Sequence, residues 1–128
     1  MFVAIVIMIS ISSISENLIA KQPVKELSDT LIIKYPANVK TIINSKCYQC
    51  HNLEAKSEKA KNKLNFDGFS SLSKSSQLSK LDKIMEVMDE GSMPPKKFIE
   101  RAPSAKLTDN EAKTLKEWAK TTSDMIIK

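Results

Sequence analysis

The chain has 128 residues, of which 41% are hydrophobic, 27% charged and 5% aromatic, and 20 Lys and Arg against 15 Asp and Glu give a net charge of +5. This length suffices for one domain and excludes two. With 2 Cys and 1 His, the composition also excludes a disulfide framework and a four-cysteine zinc site.

The N-terminal segment has the pattern of an export signal. Residues 2–14 are almost entirely apolar or Ser, which is the length of a signal-peptide core and too short to span a bilayer comfortably. We therefore expect residues 1–20 to be a signal peptide, cleaved after Ser15 or Ala20, and the protein to be periplasmic or otherwise exported. Because no Lys or Arg precedes the apolar run, an uncleaved membrane anchor is the alternative.

Residues 21–36 are predicted to be an N-terminal approach segment that leads into the domain at residues 37–128. Within this segment, residues 24–34 are predicted to form a short helix or an ordered stretch. Pro36 ends this segment because proline lacks a backbone N–H group. Asn38 is predicted to cap a helix at residues 39–47. A charged surface helix is predicted at residues 53–63. In the helix at 39–47 one face carries Val39, Ile42, Ile43 and Cys47.

The second half of the chain has two well-marked helical patterns. The first covers residues 77–90, with Ser75 or Ser76 as N-cap and Gly91 as the residue that ends the helix. The second begins with Thr108-Asp109-Asn110-Glu111, a capping box. Since strand signals are absent, the sequence predicts an all-α fold. The core-facing stripe of the last helix is predicted to contain Ala112, Leu115, Trp118, Ala119 and Met125.

Cys47-Tyr48-Gln49-Cys50-His51 has the C-x-x-C-H spacing of a c-type haem attachment site. Two thiols three residues apart can add to the two vinyl groups of one haem, and the adjacent imidazole then lies under the iron. A thioredoxin-like redox pair would need a βαβ context, and a zinc site would need two more Cys or His ligands. The motif therefore predicts one covalent haem c, held by Cys47 and Cys50 with His51 as proximal iron ligand.

The sixth iron ligand has fewer candidates. Because His51 is the only His, ligation by two histidines of this chain is excluded, and Met, Lys, water or an open position remain. Met85 and Met88 lie on the apolar stripe of the helix at 77–90, where core packing is the default interpretation. Met93 follows that helix and precedes two prolines that stiffen its loop, so it is the predicted distal ligand. The alternative is a loop Met that packs on the haem edge without binding iron.

The order of these motifs resembles the bacterial haem-binding-domain family of small secreted monohaem cytochromes c. The resemblance covers about residues 39–120 and implies a small all-α, cytochrome c-like domain wrapped around one covalently attached haem. It implies haem at Cys47 and Cys50, His51 as proximal and Met93 as distal ligand. Residues 52–62 lack the Trp/Pro/Tyr-rich stretch common in the family, which implies a more exposed haem edge. The resemblance rests on C-x-x-C-H, Leu64-Asn65-Phe66-Asp67, Gly91-Ser92-Met93-Pro94-Pro95, Ala105-Lys106-Leu107-Thr108 and Trp118-Ala119.

These features predict an electron carrier rather than an enzyme, with no catalytic residue. The alternative is a five-coordinate haem c protein that binds a gas ligand or acts as a peroxidase. The basic composition predicts acidic redox partners. Nucleic-acid binding is not expected of an exported chain without a reading motif. We expect membrane association only if the signal is retained, and a monomer. Candidate partners of the haem propionates are Lys96, Lys97, Arg101 and the indole N–H of Trp118.

Overall fold

The computed structural model describes residues 32–128, and this part of the chain is helical without a β-strand, which confirms the all-α prediction. The predicted signal peptide and most of the approach segment lie outside the described residues. The described part has a π-helical turn at Ile43–Cys47 and 3₁₀ turns at Phe69–Ser71 and Pro103–Ala105. Its α-helices are α1 (Ala37–Ile42), α2 (Glu58–Lys63), α3 (Lys74–Asp89), α4 (Lys96–Ile99) and α5 (Asp109–Ile127).

The hydrophobic core lies where α1 and α3 pack against α5. Leu81 of α3, Ala119 of α5 and Phe69 of the first 3₁₀ turn have no solvent-exposed surface. Burying such side chains contributes about 1.5–3 kcal/mol each for Leu or Phe. The buried residues of α5 recur every three or four positions, as an amphipathic helix requires; they are Leu115, Trp118, Ala119, Thr122 and Ile126.

One core prediction for α5 is wrong, because Met125 is 53% exposed and Ile126 takes the inward position at 6% exposure. At 100° per residue, Ile126 lies about 20° from the direction of Leu115 around the helix, whereas Met125 lies about 80° away. The periodic pattern therefore placed Met125 on the edge of the stripe, and the packing leaves that edge in solvent.

The predicted start of α5 is confirmed, since Thr108 Oγ1 accepts from the Glu111 N–H at 3.2 Å and a Glu111 carboxylate oxygen accepts from the Thr108 N–H at 2.8 Å. The predicted start of α3 is wrong by three residues, because Ser73 rather than Ser75 or Ser76 provides the cap. The serine-rich sequence offers several hydroxyls, and only tertiary packing selects one of them.

Two predictions in the first half also need correction. Asn38 lies inside α1, whose N-cap is Pro36 without a side-chain hydrogen bond. The helix predicted at 53–63 is shorter, because residues 53–57 form turns and α2 begins after Ser57, whose Oγ accepts from the Ala60 N–H at 3.3 Å.

The segment before α1 is attached to the core by Trp118. The indole N–H of Trp118 donates to the Lys34 carbonyl at 3.1 Å, and its ring lies 5.3 Å from that of Tyr35. Ile33 is buried nearby and its N–H donates to Ser70 Oγ at 3.2 Å. Trp118 is therefore wrong as a candidate propionate partner, since its only polar hydrogen holds the chain at Lys34.

Candidate functional site

The haem motif begins at the end of a π-helical turn that continues α1. Here the Tyr48 N–H donates to the Ile43 carbonyl at 2.8 Å, five residues back, and Ser45 Oγ donates to the Thr41 carbonyl at 2.9 Å. A π-turn accommodates one more residue than an α-turn and is frequent at functional sites. Ile43 is 4% exposed and Cys47 packs against the core. The predicted apolar face is thus confirmed, although it follows a widened turn.

Cys47, Cys50 and His51 are brought together by a tight turn. The N–H groups of Cys50 and His51 both donate to the Cys47 carbonyl at 3.1 Å. Both cysteines are half-buried and carry free thiols. Burial, followed by the charge of Glu111 and the neighbouring Cys50, raises the pKa of the Cys47 thiol to about 11. Cys47 is therefore a protonated thiol at neutral pH.

The His51 ring is oriented by two backbone carbonyls. Its Nδ1 lies 3.1 Å from the Ala60 oxygen and 3.0 Å from the Leu64 oxygen. Since carbonyls only accept, Nδ1 is the ring nitrogen that donates here. Leu64 is the residue that ends α2, and the Ala60 carbonyl also accepts from the Leu64 N–H at 3.0 Å. The arrangement orients the ring through Nδ1 and leaves Nε2, which makes no hydrogen bond in the described part of the chain, as the nitrogen that could bind a metal ion.

Phe66 completes the surroundings of His51. The two rings meet edge to face at a centroid distance of 6.4 Å and an angle of 88°, and the Phe66 N–H donates to the His51 carbonyl at 3.0 Å. Phe66 also contacts Tyr35 and Phe69 in the same edge-to-face manner, at 6.3 and 6.5 Å. The His51 ring is thereby connected to the core by aromatic contacts, each of which favours this geometry.

Asp67 contacts one residue of the motif, Tyr48, and one residue after it, Leu53. One carboxylate oxygen accepts from the Tyr48 hydroxyl at 2.5 Å, and the other accepts from the Leu53 N–H at 2.8 Å. The Tyr48 hydrogen bond, and then the Leu53 N–H, hold the pKa of Asp67 below its usual value, and the same bond raises the pKa of Tyr48. Sequence reasoning missed this role. The only sequence signal for this role of Asp67 was its place in the Leu64-Asn65-Phe66-Asp67 segment after the motif.

Met93 lies in the loop between α3 and α4. As predicted, α3 ends at Gly91, which has a positive φ of 58°. In this conformation the Gly91 N–H donates to the Met88 carbonyl at 3.4 Å, and the Ser92 N–H donates to the Val87 carbonyl at 3.2 Å. Met93 is 39% exposed and is joined to the buried Pro94 by a cis peptide bond.

The other methionines of the described part have different surroundings. Met85 and Met88 pack, half-buried, against the core, as their helical spacing predicted. Met125 is exposed, but it lies 14 residues along α5 from Glu111, or about 21 Å. Because Glu111 is the carboxylate that acts on Cys47, Met125 is at the opposite end of α5 from the motif.

Lys46, the residue before Cys47, contacts the connection between α4 and α5. Its Nζ donates to the carbonyls of Ser104 and Lys106, the latter at 3.2 Å. These carbonyls belong to the connection between α4 and α5. The side chain of Lys46 therefore ties the motif to the connection between α4 and α5, and not to the loop that carries Met93.

The remaining propionate candidates lie in α4 or just after it. Lys96 and Lys97 are exposed on α4, and Arg101 follows it with its Nε donating to the Lys97 carbonyl at 3.2 Å. They give the region next to Met93 a positive charge, which suits carboxylates.

A family model described as a haem-binding domain matches residues 52–121, which is more than half of the chain and begins directly after His51. The match includes α2 to α4, most of α5 and the segment 64–67 that contacts His51. No curated protein and no solved structure matches the chain. Within residues 32–128, no helix is both long and apolar enough to cross a membrane.

Proposed function

Since the chain belongs to the haem-binding domain family, we propose that it is an exported monohaem c-type cytochrome that transfers electrons. In this proposal Cys47 and Cys50 hold one haem c covalently, His51 is the proximal iron ligand and Met93 the distal ligand. No catalytic residue is assigned, because the protein carries electrons and does not convert a substrate.

The orientation of His51 is the observation that carries the proposal. Metal-binding histidines commonly donate their second ring N–H to a carbonyl or carboxylate, which fixes the ring and raises its basicity. Here two carbonyls accept from Nδ1, at 3.1 and 3.0 Å, and they belong to the backbone of a capped helix. The donor set of two free thiols and one imidazole held through Nδ1 fits haem c.

Ligation by Met93 is the part of the proposal that makes the protein an electron carrier and not a ligand-binding protein. A haem with His and Met ligands has a raised reduction potential and no open position for O₂, NO or peroxide. Met93 is held between the fixed end of α3 and the buried Pro94, whereas Met85 and Met88 are committed to the core. A peroxidase would also need a distal base, and the only His of the chain is already on the proximal side.

The site of action and the partners belong to the same proposal. Covalent haem attachment takes place outside the cytoplasm, which agrees with a signal peptide at residues 1–20. The exposed Lys96, Lys97 and Arg101 next to the Met93 loop suit an acidic redox partner, because complementary charge raises association rates. We propose that the protein acts there as a monomer.

Haem staining after denaturing electrophoresis tests the attachment. The chain is produced together with a haem c attachment system, beside a variant with Cys47→Ser and Cys50→Ser. We expect a stained band for the unmutated chain and none for the double variant. Met93→Ala is the matched control and keeps the stain, because this residue is not an attachment point.

Carbon monoxide separates the two classes of function. The reduced unmutated protein is expected not to bind carbon monoxide, because both axial positions are occupied. Persistent covalent haem in the double Cys variant would contradict the motif assignment. Ready binding of carbon monoxide by the unmutated protein would contradict the carrier and favour the five-coordinate alternative.

A further inference from the structure

The turn that carries Cys50 and His51 has little regular structure of its own. From residue 48 to residue 57 the backbone forms turns and bends, and the hydrogen bonds within the motif are short-range ones of 3.1–3.2 Å. Such a segment is held in one conformation mainly by contacts with the rest of the chain. A group outside the turn must therefore keep His51 beside its two carbonyl acceptors.

Asp67 makes contacts on both sides of this turn. Its carboxylate accepts from the Tyr48 hydroxyl at 2.5 Å, three residues before His51, and from the Leu53 N–H at 2.8 Å, two residues after it. We call this arrangement of Asp67 with Tyr48 and Leu53 the Asp67 bridge. Because both carboxylate oxygens are used, the bridge fixes the two ends of the turn relative to each other.

Asp67 is itself held in place by its neighbours. Its N–H donates to Asn65 Oδ1 at 3.0 Å, which forms a local turn, and the preceding Phe66 N–H donates to the His51 carbonyl at 3.0 Å. Leu64, at the start of the same segment, supplies one of the two carbonyls that accept from the His51 ring. Four consecutive residues thus connect the carboxylate to the imidazole.

We infer that Asp67 is a positioning residue for the haem iron, which holds the turn around His51 through Tyr48 and Leu53 and so keeps the His51 ring on its carbonyl acceptors. The inference rests on the proposed function, in which His51 binds the iron. Since the ring hydrogen bonds raise the basicity of a metal-bound imidazole, a looser turn weakens this ligand and raises the reduction potential.

The bridge also borders a cavity of about 240 Å³ that separates it from α1. Tyr35, Lys40 and Asn44 line this cavity together with Tyr48 and Asp67. The Tyr35 hydroxyl is buried there and has no hydrogen-bond partner in the described part of the chain. In the described part of the chain the Tyr48 hydroxyl and the Leu53 N–H are the groups that donate to the Asp67 carboxylate.

Amide exchange of Leu53 measures the bridge directly and does not depend on haem. In Asp67→Ala we expect this N–H to exchange at least tenfold faster than in the unmutated protein. In Asp67→Asn, which keeps one acceptor oxygen, we expect a smaller increase. Glu54→Gln is the matched control, because it removes an exposed charge from the same turn, at a side chain without a hydrogen bond in the structure.

Two measurements on the haem-loaded protein test the link to the iron. Exchange of the His51 ring N–H is expected to be at least tenfold faster in Asp67→Ala and faster in Tyr48→Phe. The reduction potential is expected to rise in both variants. Tyr48→Phe leaves the Asp67 charge in place, so a rise there reports the ligand and not the lost charge, whereas Glu54→Gln is expected to change neither quantity.

The outcomes separate the bridge from the proposed function. An unchanged Leu53 exchange rate in Asp67→Ala would overturn the bridge itself. Faster Leu53 exchange with an unchanged His51 ring and potential would show a merely structural contact, which overturns the inference. A shift in Glu54→Gln as large as in Asp67→Ala would show that charge alone is responsible. Absence of haem from the unmutated protein would overturn the proposed function, and the inference with it, whatever the Leu53 rate shows.

Discussion

Met93→Ala is expected to open the iron while leaving the fold intact. Met93 is 39% exposed. Its replacement by Ala therefore lowers the free energy of unfolding by only part of the 1.5–3 kcal/mol that full burial contributes, or about 1 kcal/mol. For a domain of this size that corresponds to a fall in Tm of about 4–8 °C. Met85→Ala and Met88→Ala are the matched controls. Because both pack against the core, their cost in stability is larger and approaches about 2–5 kcal/mol for complete burial.

Absorption spectroscopy and ligand titration distinguish these variants. In Met93→Ala we expect loss of the far-red charge-transfer band between Met and ferric iron, a lower reduction potential, and new binding of carbon monoxide or cyanide. In the two core variants we expect an unchanged spectrum and a lower Tm.

A reversed pattern would refute the ligand assignment. If Met93→Ala keeps the spectrum and potential of the unmutated protein while Met85→Ala or Met88→Ala binds carbon monoxide, the distal ligand lies on α3 and the electron carrier survives. If all three variants keep the spectrum, the sixth ligand is not one of these methionines.

Three further results are expected. Thr108→Ala removes the α5 cap and costs about 1 kcal/mol, measured as a fall in Tm of about 4–8 °C, whereas Thr108→Ser is near neutral; equal Tm values would contradict the capping box. In haem-free Cys50→Ser, alkylation of Cys47 is expected to rise at a pH above 9, the ordinary pKa of the thiol, because burial and the Glu111 charge still raise the pKa of Cys47; the haem-free chain loses stability above pH 9 because the unfolded thiol ionises first. Electron exchange with an acidic partner slows as salt increases, since charges are screened beyond about 10 Å at 0.1 M; a salt-independent rate would show that charge does not guide docking.

The sequence predicted the long helices because their signals are local. The capping box at Thr108 marks α5 to the residue, and Gly91 marks the end of α3 because only a residue that tolerates positive φ fits there. The short helix α4 and the two 3₁₀ turns were missed, since one turn of helix carries no measurable periodicity. The π-turn before Cys47 was missed for the same reason.

The sequence offers a prediction for the chemistry of the site, but it does not reveal the contacts that support the site. The C-x-x-C-H spacing predicts Cys47, Cys50 and His51 as haem residues without any structure. The acceptors of the His51 ring are backbone atoms 9 and 13 residues away, and Asp67 contacts Tyr48 across 19 residues. Such bonds depend on the tertiary fold, which brings distant residues together. A backbone carbonyl is present at every residue, so no side-chain pattern marks the one that will accept.

The absorption spectrum of the purified, unmutated protein in its oxidised and reduced forms tests the central claim most directly. We expect covalent haem c with low-spin bands and a far-red charge-transfer band in the oxidised form, as His51 and Met93 ligation requires. A high-spin oxidised spectrum, or the absence of haem absorbance from protein produced with an attachment system, would contradict the account.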